Sequence, residues 1–218
     1  AYYYYGAENG NLDYYFLAGA SMPEVVSGYT YLTGTTPLPQ LWTLGYHQSR
    51  WGYDSADCIK KVASKYRELQ IPCDTMHFDI DYMDGYRVFT WNEKDYGKPG
   101  EAVKELKDDG FKTVCIIDPG VKLDPGYDKY EEGIAGDYFA KTKEGEVYVN
   151  AVWPGDAVYP DFGKKEVRRW WADNQKFLTD MGVAGVWNDM NEPASFRGEL
   201  PQDVVFTDED RETTHAAM

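Results

Sequence analysis

The chain has 218 residues, with 37 Asp and Glu against 22 Lys and Arg, and its formal net charge is −15. That length can bury a substantial core, and 43% apolar residues are typical of a globular protein rather than a disordered or fibrous one. A surface this acidic repels phosphates, which argues against a nucleic-acid partner. No apolar run reaches the ~18 residues that a membrane-spanning helix needs, so no membrane partner is expected.

The three cysteines bear on the cellular compartment. Cys58, Cys73 and Cys115 show no C-x-x-C spacing and each is surrounded by apolar residues, which predicts buried free thiols. Free thiols favour a reducing, cytoplasmic location. The N-terminus AYYYYGAENG has neither the basic nor the apolar region of a signal peptide, although a signal peptide removed upstream would leave secretion open.

Residues 1–36 differ in pattern from the rest of the chain. NLDYYFLAG, residues 11–19, comes after the turn residues Glu8-Asn9-Gly10-Asn11 and predicts a strand. Pro23 then begins a predicted amphipathic helix that ends at Gly34, and residues 35–39 are a proline-containing linker. We interpret residues 1–36 as the end of a preceding domain.

From Leu41 onward, apolar strands alternate with amphipathic helices. Ser55 is a predicted helix N-cap, Pro99 begins the next helix, and KKEVRRWWADNQKFLTDMG predicts a third helix after an insertion at about residues 120–162. The predicted strands are LWTLGYH (41–47), CDTMHFDI (73–80), KTVCIID (112–118) and VAGVWND (183–189).

This alternation predicts an α/β fold with parallel strands covered by helices. Two architectures fit, a doubly wound open sheet and a (β/α)8 TIM barrel. No glycine-rich phosphate-binding loop follows any strand, which argues against a nucleotide-binding open sheet. Polar residues instead follow the strands, at the face where barrels have their active sites; they are His47, Asp79, Asp81, Asp118 and Asp189. We therefore favour the barrel.

The predicted barrel is incomplete in this chain. A TIM barrel has eight β/α units in about 250 residues, and residues 37–218 supply about the first four. The final letters THAAM are typical of a helix start, which indicates a chain cut from a longer polypeptide. We expect the remainder of that polypeptide to be the partner that completes the barrel.

The motif WNDMNEP, residues 187–193, carries the clearest chemical signal. It places a carboxylate at a strand end beside a tryptophan, an amide and a second carboxylate. Cleavage of a glycosidic bond needs a pair of carboxyl groups, one at the anomeric carbon and one that protonates the leaving oxygen. The alternative interpretation is that Asp189 and Asn191 only cap the turn from strand to helix.

Five blocks together resemble glycoside hydrolase family 31, the α-glucosidase family, in its bacterial α-glucosidase form. Besides WNDMNEP they are, in order, GYHQSRWGY (45–53), HFDIDYMDGYRVFTWN (77–92), IIDPG (116–120) and VWPG (152–155). The likeness runs across nearly the whole chain. It implies a catalytic TIM barrel preceded by a β-sandwich domain, of which residues 1–36 would be the tail.

The resemblance also implies roles for individual residues. Asp189 matches the catalytic nucleophile, and Asp79 matches the acid that binds the 4-hydroxyl of the terminal sugar. Asp118 and His47 either bind sugar or hold neighbouring loops. The remaining matches form the pocket around the first sugar, with Trp51, Trp153 and Trp187 as an aromatic wall and Ile80, Ile116 and Met190 as apolar lining.

No metal or other cofactor is expected, because both steps of the implied mechanism use only carboxyl groups. Asp79, Asp81 and Asp84 faintly resemble a calcium loop, but Met83 and Thr90 stand where further ligands are needed. Zinc spacing around the histidines is absent.

The implied function is a retaining α-glucosidase that removes terminal non-reducing glucose from α-linked oligosaccharides through a covalent glycosyl-enzyme on Asp189. The acid/base of that family lies downstream, and Asp203, Asp208 and Asp210 lack its context, so we expect it outside this chain. Within the family, an α-xylosidase or an α-transglucosylase is the alternative. From a different class, a non-catalytic glycan-binding protein or an inactive fragment is the alternative.

Overall fold

The computed structural model describes residues 2–6, 14–208 and 211–214. The helices are α1 (Met22–Thr33), α2 (Ala56–Glu68), α3 (Glu93–Tyr96), α4 (Glu101–Asp108), α5 (Asp128–Ala135), α6 (Lys165–Asn174) and α7 (Lys176–Asp180). The strands are β1 (His47–Gln48), β2 (Thr75–Phe78), β3 (Lys112–Ile117), β4 (Val121–Lys122), β5 (Val149–Val152), β6 (Gly155–Val158), β7 (Gly185–Asn188), β8 (Val205–Asp208) and β9 (Arg211–Thr214).

A four-stranded parallel sheet in the order β1-β2-β3-β7 forms the centre of the fold. Helices follow β1, β2 and β3 in sequence before the next strand of the sheet begins. The α/β prediction with four parallel strands is confirmed, and the architecture is that of a partial TIM barrel.

The outer face of this sheet carries the main apolar core. Met76, Phe78 and Cys115 alternate with inward-facing neighbours along their strands and have almost no exposed surface. They pack in one cluster with Ile59 of α2 and Leu106 of α4. Helix α2 forms because its apolar residues recur at helical spacing, and burial of that stripe against the sheet stabilises it.

The three cysteines are free, as the sequence predicts. Cys73 and Cys115 are buried, but Cys58 on α2 is only half-buried. Burial raises the pKa of the Cys73 and Cys115 thiols, which keeps both protonated at neutral pH. Among the described residues, no helix has the length and apolar character needed to cross a bilayer.

The predicted strand at 41–47 is wrong for most of its length. Leu41–Leu44 forms a 3-10 turn, in which the Thr43 N–H donates to the Gln40 carbonyl at 3.0 Å. Leu41 is 85% exposed, so its apolar run is not buried by the sheet. Only His47–Gln48 pairs with β2.

Two further expectations about elements are corrected. Residues 14–19 of the strand predicted at 11–19 are not in a strand, and residues 11–13 lie outside the described residues. The single helix predicted after the insertion is divided at Gln175 into α6 and α7. At that point the Leu178 N–H bonds to the Gln175 carbonyl at 3.0 Å, which tightens the turn.

Helix α1 begins and ends as predicted, but none of its residues is buried. The domain boundary near residue 36 stays a prediction, and the predicted helix start at THAAM lies outside the described residues.

The segment predicted as an insertion forms a second, antiparallel sheet in the order β4-β6-β5. A separate apolar cluster lies beside it; its members are Ala140, Tyr148, Tyr159, Leu200 and Val204. Buried Asp161 joins the sheet to the segment after the 190s. It accepts the Thr207 hydroxyl at 2.7 Å and the Thr207 N–H at 3.0 Å. The insertion therefore packs against residues that follow the last strand of the barrel.

Replacing the α2 N-cap tests this description of the fold. Ser55→Ala removes the oxygen that accepts the Cys58 N–H at 3.3 Å, so we expect the free energy of unfolding to fall by about 1 kcal/mol. Ser55→Asp keeps an acceptor in the same place and should restore most of that loss. Urea unfolding of the three proteins gives both values, and an Asp variant no better than the Ala variant would contradict the cap.

Candidate active site

Three carboxylates lie at the carboxyl edge of the parallel sheet. Asp79 follows β2, Asp118 follows β3 and Asp189 follows β7. Ile116 pairs with Trp187 across β3 and β7. Continuing that register by two residues brings Asp118 opposite Asp189 on the inner face. The sheet thus brings the three predicted acids to one face, as their positions after the strands indicate.

The electrostatics of these acids show that they share one environment. Burial raises the pKa of Asp79, and the charge of Asp189 raises it further against the lowering effect of the Ile80 N–H. Burial and then the charges of Asp189 and Asp79 raise the pKa of Asp118 to about 7. The charge of Asp189 acts on both the Asp79 and the Asp118 carboxyl groups, so the three acids are near neighbours.

Asp118 is the most buried of the three, with 4% of its surface exposed. Its Oδ1 atom is buried and has no hydrogen-bond partner among the described residues. A buried acceptor without a partner costs free energy, which a hydroxyl group of a ligand can recover.

Local backbone structure holds Asp79 and Asp189 in place. The Asp79 carboxylate accepts the Ile80 N–H at 2.8 Å and so caps the short 3-10 helix Ile80–Tyr82. Tyr82 in turn donates its hydroxyl to the Ile116 carbonyl at 2.8 Å, which ties that helix to β3. The Asp189 N–H donates to the Ile117 carbonyl at 3.3 Å and continues the sheet ladder beyond β7.

Met190 has a left-handed backbone with φ of 60°. A side chain with a Cβ atom pays about 1–2 kcal/mol for that conformation, and such outliers gather at functional sites. The turn at Met190 directs the chain away from the sheet immediately after Asp189. This is the beginning of the 190–197 loop.

Trp51, Trp153 and Phe196 form an aromatic rim. The ring centroids of Trp51 and Trp153 are 5.6 Å apart, and Phe196 meets Trp153 edge to face at 5.2 Å. The exposed fractions are 36% for Trp153, 53% for Phe196 and 64% for Trp51. Exposed flat rings suit a ligand with apolar faces, such as a sugar.

Trp187 is not part of that rim. It lies on the inner face of β7, edge-on to His77 at 6.1 Å. Ile80 and Ile116 are both buried and Met190 is half-buried, so the two isoleucines expose little surface to a ligand.

His47 belongs to the sheet interior rather than to the acid cluster. Its Nδ1 lies 3.1 Å from His77 Nε2, and Trp42 stacks on it at 5.9 Å. These residues line a cavity of about 370 Å³ that also reaches Val114 and Trp187. Burial, followed by the charge of His47, lowers the pKa of His77. This geometry favours the alternative in which His47 holds neighbouring elements.

Sequence reasoning missed Phe196 and the residues that hold it. The sequence gives little indication of Phe196, because a single phenylalanine seven residues after Asp189 belongs to no periodic pattern. His77 was also missed, since only the register places it beside His47.

No group of three or more His, Cys, Asp or Glu residues among the described residues could hold a metal ion. The acids of the calcium-like stretch are engaged elsewhere. Asp84 lies 3.7 Å from the Arg87 guanidinium, and Asp81 accepts the Tyr86 hydroxyl at 3.4 Å.

Comparison with known proteins decides the family. The model of the glycosyl hydrolases family 31 TIM-barrel domain matches residues 36–218. The chain belongs to glycosyl hydrolase family 31. The strand-end acids, the WNDMNEP motif and the partial parallel barrel are therefore features of a family 31 domain.

Individual relatives agree with this assignment. Alpha-glucosidase 2 of Bacillus thermoamyloliquefaciens is 46% identical over 95% of this chain and 27% of its own length. Neutral alpha-glucosidase AB of Homo sapiens is 41% identical over 88% of this chain and 21% of its own. The crystal structure of the DNJ-bound glucosidase II alpha subunit matches with a TM-score of 0.80 and 35% identity, over 86% of this chain and 21% of that one.

This family 31 chain thus spans about a quarter of the length of the relatives that it matches. Asp79, Asp118 and Asp189 all lie within residues 36–218, the part of the chain that matches the family's barrel domain.

The buried state of Asp118 has a measurable consequence for stability. In the unfolded chain the Asp118 carboxyl has its ordinary pKa of 3.8, whereas in the folded protein burial and the neighbouring acids raise its pKa to about 7. The unfolded state therefore binds fewer protons than the folded state between those pH values. Stability falls as pH rises through this window.

Asp118→Asn removes this contribution. When the pH is raised from about 5 to about 7.5, the melting temperature of the unchanged protein should fall. In Asp118→Asn we expect that fall to be smaller. Circular dichroism melts at both pH values measure the difference. Asp108→Asn, on the exposed side of α4, is the control and should keep the original dependence. Equal falls in all three proteins would show that Asp118 does not titrate as described.

Proposed function

We propose that the protein is a retaining α-glucosidase, whose catalytic nucleophile is Asp189. The observation that carries the proposal is the position of Asp189 at the end of β7, next to two buried carboxyl groups in a family 31 barrel. The names of the relatives support the substrate class, since the two described above are alpha-glucosidases.

In the proposed mechanism an Asp189 carboxylate oxygen attacks the anomeric carbon of the terminal glucose. The bond to the leaving oxygen breaks as that oxygen takes a proton from an acid, giving a β-linked glycosyl-enzyme. Water then attacks the same carbon, returns a proton to the acid and releases glucose with its α configuration. The proton donor belongs to the part of the polypeptide beyond this chain, so that part is a required partner.

Asp79 and Asp118 are proposed to bind the hydroxyls of the first sugar. A carboxylate accepts two hydroxyl groups in a geometry that selects sugar configuration. Asp118, with a pKa raised to about 7 by burial and by its acidic neighbours, is partly protonated at neutral pH and so can donate as well as accept. Its unpartnered Oδ1 supports this role.

The aromatic and apolar groups are proposed to enclose the same sugar. Trp51 and Trp153 offer exposed ring surface, and Trp187 lies on β7 two residues before Asp189. Met190 directly follows the nucleophile. Ile80 and Ile116 act chiefly by filling space behind the acids, because both are buried.

The substrate is proposed to be an α-glucoside oligosaccharide, and the two carboxyl steps need no cofactor. A cytoplasmic location and a barrel domain that starts near residue 37 remain our proposals. Free Cys58, Cys73 and Cys115 support the first, and the family match from residue 36 supports the second.

The nucleophile is tested by removing it and supplying a substitute. In the full-length protein, Asp189→Ala should lower turnover of an aryl α-glucoside by about 10³-fold or more. Sodium azide fits the space that the carboxylate leaves and attacks from the same side. The expected product is therefore β-glucosyl azide, identified by NMR.

Asp189→Asn keeps the shape of the side chain and separates chemistry from folding. Turnover above about a tenth of the unchanged protein, a loss below about 1.4 kcal/mol, would rule out Asp189 as nucleophile. Asp108→Asn is the surface control and should keep full turnover. An enzyme faster on α-xylosides would be an α-xylosidase, and formation of longer glucans in place of glucose would indicate a transglucosylase. Binding of oligosaccharides without turnover would indicate a glycan-binding protein.

A further inference from the structure

The second half of the 190–197 loop is bonded to the antiparallel sheet of the insertion and to Tyr159 beside it. The Phe196 N–H donates to the Ala151 carbonyl of β5 at 2.8 Å. The Tyr159 hydroxyl, just after β6, donates to the Ala194 carbonyl at 3.0 Å. Arg197 forms an ion pair with Asp156 of β6. These contacts join two segments that are roughly 40 residues apart in the chain.

Asn150 is the central member of this junction. Its Oδ1 accepts both the Ala151 N–H at 2.7 Å and the Arg197 N–H at 3.2 Å. Its Nδ2 donates to the Tyr148 hydroxyl at 2.7 Å, which fixes the orientation of the amide. Asn150 and Tyr159 are both buried, so these bonds form in a region with little competing water.

Asp189 itself does not depend on this junction. Its N–H bonds to the Ile117 carbonyl, so the parallel sheet holds it. What the junction holds is the far end of the loop, where Phe196 meets Trp153 of the insertion edge to face.

Exposure rises from the acids to the rim, from 4% at Asp118 and 7% at Asp79 to 53% at Phe196 and 64% at Trp51. If the buried acids bind the terminal sugar, as the proposed function has it, the rest of the oligosaccharide extends toward solvent, where rings this exposed can contact it.

We propose that Asn150 and Tyr159 are positioning residues for the leaving-group side of the site. They hold the 190–197 loop on the insertion so that Phe196 extends the aromatic surface of Trp153 beyond the first sugar and contacts the second sugar. The inference rests on the proposed function, because it concerns which part of an α-glucoside each group contacts.

Two substrates separate this role from a purely structural one. A disaccharide places a second sugar against the rim, whereas α-glucosyl fluoride has only a fluoride leaving group and uses the acids and the first-sugar pocket alone. The ratio of their kcat/KM values does not depend on how much of a preparation is folded. The disaccharide is whichever of maltose, nigerose and isomaltose the full-length unchanged protein hydrolyses fastest.

Tyr159→Phe removes one hydroxyl and keeps the ring. We expect the disaccharide-to-fluoride ratio to fall about fivefold, mainly through a higher KM for the disaccharide. Asn150→Leu should lower it at least as much, and Asn150→Asp, which keeps an acceptor for the Arg197 N–H, should return it to within about twofold. Tyr127→Phe is the matched control, since its buried hydroxyl bonds to the Val88 carbonyl away from the loop; its ratio should not change.

A double substitution tests whether Tyr159 acts through Phe196. Phe196→Ala should lower the ratio on its own, and adding Tyr159→Phe should lower it no further. If the double variant lowers the disaccharide-to-fluoride ratio by the product of the two single effects, the proposal is overturned, because Tyr159 then acts independently of Phe196.

An unchanged ratio in Tyr159→Phe would overturn the proposal even if Asn150→Leu fails to fold. If the unchanged full-length protein hydrolyses neither substrate, the proposed function fails and the positioning role fails with it. The two failures are distinguished by the unchanged protein alone, which is active on α-glucosyl fluoride only if the proposed function holds.

Discussion

The parallel register of β2, β3 and β7 is the constraint on which the rest of the site depends. Adjacent parallel strands end on the same edge of the sheet. The residues that follow them therefore lie close together, even when they carry like charges. The register of Ile116 with Trp187 sets Asp118 against Asp189. Three acids in one place repel each other, and that repulsion together with burial gives Asp118 its raised pKa.

Packing around the three acids offsets the unfavourable free energy of placing them together. Phe78, Cys115 and Ile117 on the outer face are buried and anchor the strands whose ends carry the acids. The Asp79 carboxylate gains the Ile80 N–H. Asp118 gains no such partner among the described residues, so part of its burial cost remains in the unliganded site. An unpaired acceptor can take a hydrogen bond from a ligand hydroxyl, which is the role proposed for Asp118.

The insertion contributes to the site from outside the parallel sheet. Its antiparallel strands supply Trp153 and also bond the loop that carries Phe196. The parallel sheet thus positions charge, while the insertion positions aromatic surface. Under the proposed function, this division separates the groups that act on the reacting carbon from those that contact the leaving group.

The sequence alone determined the strand-helix alternation, the acids after the strands and the family blocks, because each is written in a short stretch of residues. It did not determine that residues 41–44 turn instead of extending, since their exposure depends on what covers them. Nor did it indicate Asn150 or Phe196. Asn150 accepts the N–H of Arg197, the residue after Phe196, and Arg197 is 47 residues from Asn150 in the chain. Only the tertiary structure brings such segments together, because hydrogen bonds between distant residues leave no periodic pattern in the chain.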